Sequence, residues 1–167
     1  MVQFAVALRD SSIADPGSGS NGFESDNDGS GSTNTPVTDP IFSNVSMFGP
    51  KVHPSTTINT NYKRAMHLRR NTQIDIYNSF FAGYKDGLFV DGSAARQNLA
   101  NDELKLYGVT LAYCSGNYFP DDTLSVVHNY FLNASRNNDT LTDHALLQIT
   151  DPFNYADPDF RPMAGSP

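Results

Sequence analysis

The chain has one cysteine and no tryptophan among its 167 residues. A single Cys114 rules out an intrachain disulfide and any zinc cage built from several thiolates. Flanked by Tyr113 and Ser115 at a strand end, it reads as a small core residue and not as a nucleophile. Basic residues are scarce, 11 Lys and Arg against 18 Asp and Glu, for a formal net charge of −7. That balance argues against nucleic acid or an anionic membrane surface as partner. No apolar run approaches the roughly 20 residues that span a bilayer. The first nine residues lack the basic start and long apolar core of a signal peptide, so they read as a strand. Either the chain is the C-terminal part of a longer solenoid or a targeting segment has been lost.

What the chain does have is Gly, Pro, Asn, Asp, Ser and Thr crowded between short apolar runs, the composition of a turn-rich, mainly β protein. One stretch has near copies. Residues 102–112 align with 72–82 without a gap, placing Leu104 on Ile74, Leu106 on Ile76, Tyr107 on Tyr77 and Ala112 on Ala82, an offset of 30 residues. A weaker copy, 42–49, matches 76–83 at an offset of 34. Self-similarity at such a period marks a solenoid, whose units bury their apolar faces against one another. The unit here is a strand, so the expected fold is a parallel β-helix filling residues 1–167 as a single domain.

In chain order, strands are expected at 2–8 (covered on both faces), 22–25, 41–48, 65–70, 71–83, 88–90, 102–112 and 145–149. Residues 26–40 and 51–62 read as loops, and 151–167, with four prolines, as an extended tail. Ser93 is the expected cap of a short helix from Ala94 to about Asn101. Asp121 or Asp122 is expected to cap a second, running to about Ala134, whose stripe of Leu124, Val127 and Phe131 should lie on the coil. Strict alternation puts Ile74, Ile76, Asn78 and Phe80 on one face of the central strand and Asp75, Tyr77 and Ser79 on the other. Asn44 and Asn78, at matching repeat positions, then suit an amide ladder between coils. Asp75 is expected over Lys105 as an exposed ion pair.

The runs Ser20–Asp28 and Ile41–Val45, the surroundings of Arg69-Arg70 and Asn78-Ser79, and the ending Pro158–Pro167 occur together in one group. They resemble the C-terminal half of secreted bacterial right-handed parallel β-helix proteins, common in Bacteroidetes. The resemblance spans nearly the whole chain and implies that fold and an extracellular or cell-surface location; it brings no assigned reaction. The chain departs from the group in starting within the solenoid and in lacking a C-terminal sorting domain.

Residues that can carry chemistry are few. Glu24, Asp26 and Asp28, with Gly29 in sixth place, match the first half of a Ca²⁺-binding loop, although its twelfth position holds Thr35 instead of a bidentate Glu. Tyr77 and Tyr107 share a repeat position and offer a stacked aromatic surface for a sugar, or alternatively a packing element. A glycoside hydrolase needs a carboxylate pair, and Asp86 and Asp91 flank one short strand. His67 and Arg69 alternate onto one face. The paired-aspartate and Gly-His-Gly motifs of polygalacturonase-like enzymes are absent, and no Ser/His/Asp or phosphate-loop pattern stands out. The residues therefore point to a structural or carbohydrate-binding surface module that binds polysaccharide or self-associates through its solenoid ends, without catalysis. The alternative is a polysaccharide lyase or glycoside hydrolase of the pectin-lyase-like β-helix type, which convergence of Asp86, Asp91 and Arg69 in one groove would favour.

Overall fold

The structure, a computed structural model, describes residues 1–17, 19–120 and 125–166. Ten strands and two α-helices follow in the order β1 (Val2–Leu8), β2 (Phe23–Ser25), β3 (Ile41–Phe48), β4 (Arg64–Arg69), β5 (Asp75–Tyr84), β6 (Asp86–Asp91), α1 (Ser93–Ala100), β7 (Lys105–Cys114), α2 (Val126–Phe131), β8 (Asp139–Leu141), β9 (Ile149–Asp151) and β10 (Asp159–Pro162). The chain alternates between two parallel sheets, β1-β3-β5-β7-β8 and β2-β4-β6. Parallel neighbours need a crossover, and here each sheet supplies the other's.

The 30-residue repeat sets the register. Ile76 lies beside Leu106, Tyr77 beside Tyr107 and Ala82 beside Ala112, while Lys105 N donates to Ile74 O. Inside, Ile76, Phe81, Leu106 and Leu111 of the first sheet meet Met66, Leu68, Leu88 and Val90 of the second, all essentially solvent-free. α1 closes one side with Ala95 and Leu99, and α2 adds Val127, Tyr130 and Phe131. A hydroxyl pair, Ser25 Oγ and Thr72 Oγ1 at 2.7 Å, satisfies itself within this interior. Asn98 of α1 donates to Asn71 Oδ1 and Thr72 O, pinning the helix to the turn before β5.

Strict alternation fails on the long strands. Asn44, Asn78 and Gly108 stack in register, and all have positive φ (55°, 46° and 64°), as does Phe4 one strand earlier (56°). Each is a left-handed bend, which asparagine and glycine tolerate best. The bend exposes Asn78 and turns Ser79 inward, so Asn78 does not share the face of Ile74 and Ile76. It also releases amides from the ladder. Ser79 Oγ accepts from Val45 N at 3.0 Å, and Asn138 Oδ1 from Val109 N at 2.8 Å. Asn44 Nδ2 donates to Ser43 Oγ instead of extending an amide ladder. At Gly108 a methyl group would also come within 2.8 Å of Asn78 Oδ1.

Other expectations need correction. The first strand is an exposed edge: Val2, Phe4 and Val6 are 46, 78 and 50 % accessible. Asp75 is buried, not exposed, and takes Lys105 Nζ at 3.1 Å and the Tyr77 hydroxyl. Gly92, not Ser93, caps α1. α2 ends at Phe131, and the expected start at Asp121 or Asp122, with Leu124, lies outside the described residues. Where one strand was expected over 145–149, a 3-10 turn (His144–Leu147) precedes β9, because Asp143 accepts from Ala145 N and starts a turn. The proline-rich end is not simply extended: β10 returns antiparallel to β9.

Candidate functional site

The outer face of the second sheet collects the charged groups. Alternation along β4 sends Met66 and Leu68 inward and His67 and Arg69 outward, and β6 does the same with Leu88 and Val90 against Phe89 and Asp91. The register makes rows of them: Glu24, His67 and Phe89 in one, Arg69 and Asp91 in the next. His67 stacks on Phe89 at 5.0 Å, and the Arg64 guanidinium lies 4.4 Å from the same ring. His67 Nε2 is 3.2 Å from Asp91 Oδ2. Burial pushes the imidazole below its ordinary 6.5, outweighing Asp91, which pulls it up.

Arg69 fastens the acidic loop. Its Nε is 2.6 Å from Asp26 Oδ1, and its Nη2 reaches Asp26 Oδ2 at 3.1 Å and Glu24 Oε1 at 2.6 Å. Arg70 Nη1 adds a bond to Asp26 Oδ2 at 3.0 Å. Asp28 faces elsewhere: the hydroxyls and amides of Ser32 and Ser30 hold its carboxyl well below the usual range. Asn71 Nδ2 donates to Ser32 O, and Gly31, at φ 69°, lies so close to Arg70 Cα that a methyl group would meet it at 2.9 Å. The loop is therefore tied down by side chains. Among the described residues no three His, Cys, Asp or Glu gather where they could hold a metal, and Glu24, Asp26 and Asp28 are no exception.

Between this loop and α1 lies a cleft of about 320 Å³, lined by Ser30, Gly31, Arg69, Arg70, Asp91 and residues 92–95. α1 starts without a side-chain cap, so its first amides add positive potential to that end. Arg69 and Asp91 thus meet in one groove. Asp86 does not join them; it sits at the opposite end of β6, paired in register with Arg64 and accepting from Asn117 N. Arg69 and Arg70 are visible in the sequence as available basic residues, although nothing there brings them to the acidic loop; Ser30 and the α1 terminus carry no signal as site residues. The available signal was the acidic run 24–28 set against Arg69-Arg70.

Tyr77 and Tyr107 stack at 6.1 Å and 24° on the outside of the first sheet. Their hydroxyls bond Asp75 and Asp102, and Arg136 lies 5.0 Å over Tyr107. The pair therefore leans on its neighbours as well as on itself. Cys114 is buried, and burial raises its thiol to about 12, which leaves no thiolate at neutral pH.

Stacked parallel strands with bends in register and a polar cleft beside one sheet define a β-helix type of protein. The family model described as pectate-lyase-like beta helix domain matches residues 7–147, and the chain belongs to this family. No curated protein and no solved structure matches the chain. No helix among the described residues is long and apolar enough to cross a membrane.

Proposed function

We propose that the chain is an exported, right-handed β-helix module that binds polysaccharide in the cleft between the acidic loop and α1, without cleaving it. The observation that carries this reading is the meeting of Arg69, Arg70, Asp91 and the α1 terminus, which has no side-chain cap bond, in one open groove. Arg70, 41 % accessible at its side chain, together with those amides, favours a chain bearing carboxylates. A hydrolytic reading is weaker, because Asp86, the carboxylate that flanks the same strand, stands at the opposite end of β6 from Asp91. The tyrosine pair is a secondary contact surface under the same proposal. The open edge of β1, with Val2, Phe4 and Val6 exposed, is where self-association would occur.

One observation favours a second reading, a lyase. Burial holds the His67 imidazole below its ordinary 6.5, which favours its neutral form, and Asp91 orients it beside the cleft as a candidate proton acceptor. Affinity electrophoresis in gels containing pectin, alginate, glycosaminoglycan or β-glucan tests the binding claim. Retardation in at least one acidic gel, reduced by Arg70→Ala, is expected. Equal mobility in every gel, or retardation indifferent to Arg70, refutes the cleft as the binding surface.

A further inference from the structure

A second cavity has the opposite electrostatic character. Past the row of bends in the first sheet, Phe48, Ala82 and Ala112 stand in one row on its outer side. The two alanines leave space that the end of the chain fills: Phe153 meets Phe48 edge-on at 5.5 Å, and Phe160 stacks on it at 5.3 Å. The filling is incomplete. A cavity of about 310 Å³ remains, walled by the rings of Phe48, Phe153, His53 and His144, with Thr150 and Asp151 also in its lining. His144 is fixed in place, since its Nε2 donates to Val52 O at 2.6 Å and its ring lies 4.6 Å from that of Phe153.

We propose that this cavity binds a single neutral pyranose ring, at a site separate from the cleft. Of the walls, the Phe153, His53 and His144 rings are the ones not sealed from solvent and offer faces to the C–H side of a sugar, while His53, Thr150 and Asp151 carry polar atoms for its hydroxyls. Its volume is at the low end of ligand pockets, roughly 300–1,000 Å³, which suits one ring and not a chain. Charge sets the class. Among the described residues no Lys or Arg lines the cavity, while Asp151 does, so a uronate finds no cation to pair with and a like charge nearby, a penalty that a neutral sugar does not meet. The two sites therefore differ in what they select: carboxylate-bearing chains in the cleft, neutral rings here.

Amide chemical shifts of ¹⁵N-labelled protein, titrated with methyl glucoside, methyl galactoside and methyl mannoside and separately with galacturonate, test this. At least one neutral glycoside is expected to move the amides of His53, His144 and Phe153. His53→Ala and Asp151→Ala, both at exposed positions, should each weaken it about tenfold. Galacturonate should bind there at least about tenfold less tightly. Arg70→Ala should leave this site unchanged, which separates its failure from a failure of the cleft. Absence of shifts at these amides with all three glycosides, equal binding of galacturonate there, or unchanged affinity in both variants overturns the proposal.

Discussion

Replacing Arg69 with methionine keeps the aliphatic stem and removes three charge-assisted hydrogen bonds, two to Asp26 and one to Glu24. Breaking a fully buried pair costs about 3–5 kcal/mol and an exposed one about 0–1 kcal/mol. The three side chains here are 23 to 31 % accessible, and Asp26 keeps Arg70 as a partner. The expected loss is therefore intermediate, about 2 kcal/mol, with about 1–2 kcal/mol of coupling to Asp26→Asn in a double-mutant cycle. For a chain of this length that lowers the melting temperature by about 4–8 °C. Urea unfolding of the four proteins, with m unchanged, supplies the numbers. A coupling under about 0.3 kcal/mol refutes the claim that this arginine anchors the loop, because additive effects mean independent sites.

Phe131 is solvent-free and packs 5.3 Å from Phe119, so Phe131→Ala should cost roughly 3–5 kcal/mol in the same assay. The His67 imidazole, held by burial below 6.5, takes up a proton more readily in the unfolded chain. Stability should therefore fall as pH drops below about 6.5, and His67→Gln should flatten that part of the curve relative to the parent. Parallel curves for the two proteins contradict this. Because Asp26 is bonded to two arginines and Asp28 to Ser30 and Ser32, neither Ca²⁺ nor EDTA should shift the melting temperature measurably. A chelator-sensitive shift abolished by Asp26→Ala with Asp28→Ala would return this loop to the metal sites.

Strand positions and register were legible because stacking forces like residues onto like: Ile76 on Leu106 and Ala82 on Ala112 are the repeat itself. Val2–Leu8 and Ile41–Phe48 have the expected limits. The left-handed bends were not legible. Asn78 in a strand reads as one more alternating position until its neighbours show the backbone turning there. On the cleft, alternation alone put His67 and Arg69 on one face. The partners of Arg69 lie 43 and 45 residues earlier, Asp26 in the loop after β2 and Glu24 on β2 itself, and no repeat in the sequence links that run to Arg69. The β9–β10 hairpin was hidden by its prolines, which argue against strands except at edges and ends, where this one lies.

The most direct measurement incubates the protein with pectin, alginate, glycosaminoglycan and β-glucan while following bound polymer, reducing ends and unsaturated uronate. The account predicts that at least one acidic polymer is bound, that binding weakens in Arg70→Ala, and that neither reducing ends nor unsaturated uronate accumulates. Turnover on any of these polymers that disappears in His67→Gln or Asp91→Ala contradicts it and makes the cleft an active site.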